Sequence, residues 1–450
     1  MTETRGQTLR SRSQAQVVWA QFRKHRLAVW GGRILLVMYT VALFAGFFSV
    51  YDPNYYETSP PKGNHPPSIV HFRDPDTGKL SRPFVYATKR EFDVITLQPK
   101  YLEDPAQGKF YIHFFVRTPE QPYTLFKLFK SDFRLFGVKA PGRLFLAGTD
   151  NFGRDLWSRL MYGGQVSLSI GIFASFIAFV LGLVLGGIAG YFSGKPIKIS
   201  APFLGKGSLL WRIPFTLFWL ALAGLMASAM VQFWRVTPGF SVADVAVGLV
   251  GLVGASFALL AAFVRLVQLD LDDLIMRLVE IISAIPGLFL LISLRAVFPT
   301  NMDALLVFYL VVFILGFIGW GGLARVVRGL VLSLREFDFT QAARALGASD
   351  ARIIGRHILP STASYIIVSL SLSIPGAILG ESSLSFLGLG VREPYTSWGL
   401  LLSDAQAGGF ASFTDRPWVL WPGFFIFLAV LSWNFLGDGL RDAFDPRKRH

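Results

Sequence analysis

The sequence contains no cysteine, which excludes a disulfide framework and any metal site built on thiolates. It also contains few charged residues, since only 16% of its 450 residues are Asp, Glu, Lys or Arg, against about 25% in typical soluble domains. Hydrophobic residues make up 52% of the chain and form several runs long enough to cross a bilayer. This composition excludes a soluble globular domain and indicates an all-α polytopic membrane protein.

Acidic residues are outnumbered by basic ones, which gives a formal net charge of +14 at pH 7. The basic residues lie mainly in segments between the apolar runs, as is typical of the cytoplasmic flanks of membrane helices. No DNA-binding motif is visible. We therefore expect these residues to contact membrane lipid and predict no nucleic-acid partner.

The signatures of two enzyme classes are missing. The six histidines form no HExxH pair, so a membrane metalloprotease is not predicted, and His65 and His71 are interpreted as two solvated histidines of an outer loop. Around Lys195, Ala189 stands in place of the first glycine of a phosphate-binding loop and Pro196 in place of its Ser or Thr. We therefore expect no ATP hydrolysis by this chain alone, no catalytic residues, no metal site and no cofactor.

The order of apolar and polar segments predicts eight membrane spans with both termini in the cytoplasm. Six spans form a core, and two form a hairpin inserted into it. Alternating residues at Lys109–Val116 indicate short strands within a long extracytoplasmic loop. The predicted segments are the cytoplasmic N-terminus (1–26), the first, uncleaved helix (27–50), the outer loop (51–165), the next helix (166–192), the inserted hairpin (195–271), the remaining core (272–440) with a docking loop at 325–357, and the cytoplasmic tail (441–450).

Two features modify this pattern of spans. Leu156, Trp157 and Leu160, at the end of the outer loop, predict an amphipathic helix that lies on the membrane surface ahead of the span at 166–192. Pro286 lies in the middle of a short uncharged run and is expected to kink the span that contains it.

A charged segment between two apolar runs, Glu336–Pro360, has the pattern helix, sharp turn, helix. Ala342–Leu346 contains good helix formers, and Gly347 occupies the position of a left-handed residue that ends a helix. Ser349 or Asp350 then caps a second helix. Because small residues on the first helix let another protein approach its backbone closely, we predict that this segment is a docking surface.

Four hydroxyl-bearing residues recur at every fourth position after this segment and form one polar stripe along an otherwise apolar helix. They are Ser361, Tyr365, Ser369 and Ser373. This hydroxyl stripe either lines a water-filled translocation path for a polar cargo or contacts a neighbouring helix, because serine is also common where membrane helices pack. Both interpretations remain open at this point.

The docking segment resembles the loop by which permease subunits of ABC importers bind their ATPase. The resemblance rests on Ala342-Ala343, Gly347 and Ile358-Leu359-Pro360, with one departure, since Gln341 stands where the family usually has glutamate. It implies that the ATPase contacts the exposed turn and the small residues before it. The implied docking residues are Gln341, Ala342, Ala343, Arg344, Leu346, Gly347, Ser349 and Asp350.

Other stretches are similar to the oligopeptide, dipeptide and nickel branch of these permeases, and within it to the second permease subunit of peptide importers. The similar stretches are Gly148–Asp155, Glu381–Gly390, Trp398-Gly399 and Asp438–Arg447. The resemblance marks five residues as members of an extracytoplasmic family motif, namely Asp150, Gly153, Arg154, Asp155 and Glu381.

The resemblance implies a six-helix type I permease core with an inserted hairpin, in the cell membrane of a prokaryote. The implied partners are a homologous permease subunit in a heterodimer, two ABC ATPase subunits and an extracytoplasmic substrate-binding protein. Oligopeptides or dipeptides are the expected cargo, with nickel or another small solute as the alternative. An ion-coupled carrier would require ionisable residues in mid-membrane, and the candidates in this sequence lie near the ends of spans.

Overall fold

The computed structural model describes residues 14–56, 62–74, 78–92, 99–125, 129–194, 197–198, 268–299, 302–407 and 409–445. The chain divides into two compact units, one formed by residues 1–187 and 279–450 and the other by residues 188–278. Most of the predicted hairpin at 195–271 lies outside the described residues. In the second unit, Ile197 pairs with Leu269 and Lys198 with Gln268 in a short antiparallel ladder.

Helices dominate the described part of the chain. Their bounds are α1 (Gln14–Lys24), α2 (Arg26–Leu43), α3 (Ala45–Phe48), α4 (Leu156–Phe192), α5 (Leu271–Ala284), α6 (Gly287–Ala296), α7 (Ala304–Leu334), α8 (Asp338–Ala345), α9 (Asp350–Arg352), α10 (Leu359–Ser361), α11 (Ala363–Phe386), α12 (Trp398–Ala407), α13 (Phe410–Asp415) and α14 (Trp421–Phe444). A π-helical turn, Ile353–Ile358, joins α9 to α10, and a 3₁₀ turn, Pro417–Leu420, precedes α14.

Among the described residues, five helices are long and apolar enough to cross a membrane. They are α2, α4, α7, α11 and the continuous segment Pro417–Phe444. The pair formed by α5 and α6 makes a sixth candidate span, bent by 94° at its break. Pro286 lies at this break, directly before α6. The helix breaks here because proline lacks the amide hydrogen that a continuous helix would need. The predicted kink and the all-α fold with six core spans are therefore confirmed.

Helix α4 is longer than the sequence pattern predicted. It runs without a break for 37 residues, about 56 Å at 1.5 Å per residue, so the separate surface helix predicted before residue 166 is wrong. The Asp155 side chain starts the helix, since its Oδ2 accepts a hydrogen bond of 2.8 Å from the Ser158 amide. Gly163 and Gly164 do not interrupt it, because Trp398 covers both glycines.

The long loop between α3 and α4 contains an antiparallel sheet with the strand order β1-β2-β3-β6. The strands are β1 (His71–Arg73), β2 (Leu80–Phe92), β3 (Pro99–Arg117) and β6 (Phe133–Val138), and a separate hairpin is formed by β4 (Tyr123–Leu125) and β5 (Phe129–Ser131). The predicted strand residues Lys109–Val116 lie within β3, which confirms strands in this loop. We call residues 62–147 the loop domain.

The first and last spans pack closely through glycine. A Cβ atom on Gly31 of α2 would lie 2.7 Å from the Ser432 carbonyl oxygen of α14, and one on Gly439 would lie 2.1 Å from the Ala28 Cβ. Close backbone approach of this kind replaces the hydrophobic effect as the main source of helix association in lipid. These glycines therefore hold α2 against α14.

We expect Gly439→Ala to destabilise the protein, because the added methyl group has no space against Ala28 and overpacking costs ~1–3 kcal/mol. Gly423→Ala in the same helix is the matched control, since the added methyl group would lie in ordinary contact with the Leu402 Cδ2 at 3.8 Å. Thermal unfolding of the detergent-purified variants measures the difference. Equal melting temperatures for the two variants would contradict the proposed packing.

Candidate functional site

The docking segment, residues 336–360, begins with α8 and a tight C-terminal turn. Gly347 adopts a φ of +80°. The Ala348 amide donates to the Ala343 carbonyl at 3.1 Å and the Gly347 amide to the Arg344 carbonyl at 3.0 Å. These two bonds define a Schellman motif, which satisfies the last carbonyls of the helix. The predicted helix stop at Gly347 is therefore confirmed.

Two side chains attach α8 to the end of α7. The Thr340 Oγ1 donates to the Leu334 carbonyl at 2.9 Å, and the Gln341 Nε2 donates to the Arg335 carbonyl at 3.1 Å. A glutamate at position 341 could not donate this second bond, since an ionised carboxylate only accepts. The departure from the family pattern at Gln341 thus supplies a hydrogen bond to the preceding helix.

The predicted docking residues differ in exposure. Leu346, at the helix end, is 89% exposed, although it is a large apolar residue. Ala343 is buried against the rest of the chain and Arg344 is half-buried, and their roles in docking stay predictions. Ala343 is buried because the helix period turns every third or fourth residue of α8 inward with Thr340. The remaining predicted residues are exposed: Gln341, Ala342, Gly347, Ser349 and Asp350.

The second half of the docking segment leads directly into the next span. Ser349 occupies the N-cap position of α9, but its side chain makes no capping hydrogen bond, and Asp350 is already inside the helix. The π-helical turn that follows buries Ile353 and Ile358. Pro360 then lies within α10, immediately before α11. The segment is therefore connected to α7 on one side and to α11 on the other.

The hydroxyl stripe lies mostly on the exposed side of α10 and α11. Ser361, Tyr365 and Ser373 are exposed, and Ser369 is half-buried. The Ser361 hydroxyl donates to the His357 carbonyl at 3.0 Å and that of Ser373 to the Leu370 carbonyl at 2.8 Å, so these two bond their own helix. Ser361 lines an open groove of about 1170 Å³ in which the other three have no part. The stripe as a translocation path stays a prediction.

Glu381 lies buried in a set of serine hydroxyls that joins several elements. Its Oε2 accepts from the Ser167 hydroxyl at 2.8 Å and its Oε1 from the Ser385 hydroxyl at 2.7 Å. Ser167 in turn accepts from the Trp398 amide at 3.1 Å, and Ser385 from the Val391 amide at 3.1 Å. These bonds connect α4, α11 and the loop that leads to α12. Both carboxylate oxygens of Glu381 therefore accept a hydrogen bond within the protein.

The turn before α4 is ordered by Asp150. Its Oδ1 accepts from the Phe152 and Arg154 amides, each at 2.9 Å, as Asp does in many tight turns. Gly153 completes the turn with a φ of +84°, which favours glycine. Three of the five predicted motif residues thus stand in one turn, and a fourth, Asp155, follows directly after it.

The same turn contributes to a network of charges around the buried side chains of Asp150, Arg154 and Arg159. Arg154 Nε donates to Asp150 Oδ2 at 2.7 Å, and Arg159, which is fully buried, donates to Asp150 as well. Arg159 also contacts Asp404 at 3.2 Å and Glu393 at 3.3 Å, and Glu393 pairs with Arg154. The network connects the turn, α4, the loop after α11 and α12.

Comparison with known proteins agrees with this architecture. Residues 254–450 match the family described as "Binding-protein-dependent transport system inner membrane component", and residues 13–67 match "N-terminal TM domain of oligopeptide transport permease C". An oligopeptide transport system permease protein OppC from Haemophilus influenzae is 35% identical over 303 residues, which cover 67% of this chain and 70% of that protein.

Two further relatives have the same kind of description. A dipeptide transport system permease protein DppC from Bacillus subtilis is 30% identical over 67% of this chain and 68% of its own length. An OppC from Salmonella typhimurium is 44% identical over 40% of this chain and 56% of its own length. The chain belongs to the family of binding-protein-dependent transport permeases. It is a multi-pass membrane subunit of a transport system and not an enzyme, and the family implies that it works with an ATPase and a substrate-binding protein.

Sequence inspection of this permease missed Glu393, Asp404 and Ser167 as site residues. The presence of Arg159 in the sequence is the one feature that could have predicted these carboxylates, because an arginine among apolar residues needs an acidic partner. The two histidines were also misjudged. His65 is buried and its Nε2 lies 2.8 Å from the Thr88 hydroxyl, and His71 pairs with Glu103 at 2.9 Å. Burial lowers the pKa of His65 to about 4.

Asp155 connects the charged turn to the first span of the permease. It accepts a hydrogen bond of 2.6 Å from the Ser158 hydroxyl. That hydroxyl accepts from the Val50 and Tyr51 amides, each at 3.0 Å, just after the C-terminal end of α3. Burial raises the pKa of Asp155 to about 7, although the bonds from Ser158 act in the opposite direction.

We expect the stability of the permease to depend on pH through Asp155. The unfolded chain loses this proton near pH ~3.9, whereas the folded chain keeps it up to a pH of about 7. Stability should therefore fall as the pH rises between these values and stay constant above them. In Asp155→Asn this part of the dependence should vanish, because the amide oxygen still accepts from Ser158 without a charge. Melting temperatures of both proteins between pH 5 and pH 8 test this, and parallel curves would refute it.

Proposed function

We propose that this chain is the transmembrane permease subunit of an ATP-driven importer of oligopeptides or dipeptides. The names of the relatives support peptide cargo. The single observation that carries the coupling role is the docking segment, where Leu346 is 89% exposed next to the left-handed Gly347. An exposed apolar side chain on a rigid turn is the kind of feature that a partner protein buries as an anchor. The family match and the relatives give no support to nickel cargo or to an ion-coupled carrier.

The docking segment connects to two spans, and this supports a role in transmitting motion. On the N-terminal side, Thr340 and Gln341 attach α8 to the end of α7. On the C-terminal side, the π-helical turn continues into α10 and α11. When ATP binding closes the ATPase pair, the docking segment moves, and both spans follow because they are bonded to it. This exchange between inward-facing and outward-facing states is a shift between two populations that the ATPase biases.

The outer end of α11 is held more firmly than its inner end. Glu381 bonds Ser167 of α4, and Gly171 allows α4 to approach Ile378, since a Cβ there would lie 2.6 Å from the Ile378 Cγ1. Motion delivered at the docking segment therefore tilts α11 about this outer contact. The exposed hydroxyl stripe lies along the moving part, which supports its role in the cargo path.

The remaining parts of the proposal concern the assembly. We assign a heterodimer with a homologous permease, two ATPase subunits bound at the docking segments and a substrate-binding protein on the opposite side. The membrane is the inner or plasma membrane of a prokaryote, with both termini of the chain in the cytoplasm. The basic residues near α1, including Arg23, Lys24 and Arg26, support this orientation.

The chain offers a matched pair of turns for testing the docking role. Gly388, after α11, has a φ of +74° and the same two hydrogen bonds as Gly347, made by its own amide to Ser385 and by the Leu389 amide to Leu384. Leu387 precedes it as Leu346 precedes Gly347, and it is 49% exposed. This second turn lies at the other end of α11, on the side that the proposal places outside the cell.

We expect Gly347→Val and Leu346→Asp to reduce the amount of ATPase that co-purifies with the permease by about tenfold or more, a loss of at least ~1.4 kcal/mol. Gly388→Val introduces the same backbone strain, and Leu387→Asp the same charge, so both controls should retain the ATPase. Co-purification and ATP-driven peptide uptake are the measurements. Retained ATPase and uptake in both docking variants would contradict the proposal.

The orientation can be tested because the sequence has no cysteine of its own. A membrane-impermeant maleimide should label Lys79→Cys in right-side-out vesicles, and it should label Ala345→Cys only after permeabilisation. Both positions are exposed, so access to the thiol depends only on the side of the membrane. The reverse labelling pattern would show that the proposed orientation is wrong.

A further inference from the structure

One end of the loop domain exposes aromatic side chains. Phe114 is 62% exposed and Phe115, the next residue of β3, is 61% exposed. Two successive residues of one strand are therefore uncovered at this point. Phe133 of β6 is also exposed and stacks on Phe115, with ring centroids 5.9 Å apart and an angle of 16°. We call Phe114, Phe115 and Phe133 the aromatic tip.

The backbone at the aromatic tip is strained. Phe115 has a φ of +58°, a region that bulky residues rarely adopt and that glycine or asparagine occupies at lower cost. The chain keeps a large aromatic residue there, exposed to its surroundings and without a covering element. Observed backbone strain of this kind is concentrated at functional positions.

Contacts place the aromatic tip beside the outer end of the first span. Phe133 lies 6.0 Å from Phe47 of α3, between ring centroids. The next residue, Arg134, is fully buried and donates to the carbonyls of Gly46 at 3.2 Å and Ser49 at 3.3 Å. Since α3 follows α2 directly, β6 is fixed within about one helical turn of the end of a membrane span.

The surroundings of the tip match the boundary between lipid and water. Aromatic residues are enriched at this level of membrane proteins, where basic residues also reach lipid phosphates. Arg117 ends β3 and Lys130 lies in β5, and both are exposed. A lipid interface would contact both rings at once, which fits the exposure of the successive residues Phe114 and Phe115.

We propose that the aromatic tip inserts into the lipid headgroup region and anchors the loop domain to the membrane. The occupant of this surface is phospholipid, with the phenylalanine rings at the level of the acyl-chain boundary and Arg117 and Lys130 at the phosphates. The proposal relies on the orientation given under Proposed function only to name the leaflet, which is the outer one. Insertion itself follows from the position of the tip beside α3.

The test uses a nitroxide label on Phe114→Cys in the otherwise cysteine-free chain. Phe92→Cys is the control, because Phe92 is 59% exposed and ends β2 at the opposite end of the sheet. Within β2, Phe92 lies about 26 Å from Phe84, which is nearer to the other end of that strand. Power saturation is measured in nanodiscs of phosphatidylethanolamine and phosphatidylglycerol, for the permease alone and for the assembled transporter. Molecular oxygen is concentrated in lipid, so a label that oxygen relaxes strongly lies in the membrane. A label that a water-soluble nickel chelate relaxes strongly lies in water.

We expect the label at position 114 to be several-fold more accessible to oxygen than to the nickel chelate in both samples, and the label at position 92 to show the opposite preference. Preference for the chelate at both positions would overturn the proposal. So would a lipid-like signal at position 114 that disappears on assembly, since a partner subunit would then cover the tip.

A second variant separates insertion from folding. Phe115→Gly accepts a positive φ without strain, so it should fold, but it removes one ring of the tip. The label at position 114 should then become at least twofold more accessible to the chelate, and an unchanged value would count against the proposal. Sidedness of maleimide labelling at Phe92→Cys tests the orientation separately, so that a reversed orientation would change the leaflet and leave the insertion result intact.

Discussion

The buried charge of Arg159 is the constraint on which the arrangement of the helices around the turn before α4 depends. A guanidinium without a partner in such a place would cost several kcal/mol, so carboxylates have to meet it. They come from Asp150, Glu393 and Asp404, which belong to three different parts of the chain. Because all three carboxylates bind the same guanidinium, the turn before α4, the loop after α11 and helix α12 are fixed relative to each other. The serines around Glu381 bind a second buried polar side chain and connect α4 to α11.

The two ends of α11 consequently have different characters. At the end that contains Glu381, hydroxyl groups restrict the helix in several directions. At the opposite end, the docking segment is attached through backbone turns and a small number of side chains, of which Thr340 and Gln341 contact α7. The proposed function, in which one surface follows an ATPase while the other serves a binding protein, requires this asymmetry. The structure provides it with local chemistry at each end and not with a separate hinge domain.

The sequence predicted those features that depend on neighbours along the chain. Gly347 marked a helix end, Pro286 a break and Lys109–Val116 a strand, because each rests on local backbone preferences. It failed where distant residues decide the outcome. The continuity of α4 through residue 165 was missed, and the burial of Ala343 depends on how α8 sits against its own chain. The partners of Arg159 were missed since residues more than two hundred positions away cannot be paired by spacing alone.

The ladder between Ile197 and Leu269 has a consequence for how this permease can vary. The polypeptide therefore enters and leaves the stretch between these two strands at neighbouring positions. Closing a longer excursion costs little additional entropy, because that cost grows only with the logarithm of its length. Residues between these two points can therefore be added, removed or exchanged without shifting the helices that precede and follow them. Evolution and protein engineering alike have a permissive insertion point at this place in the permease.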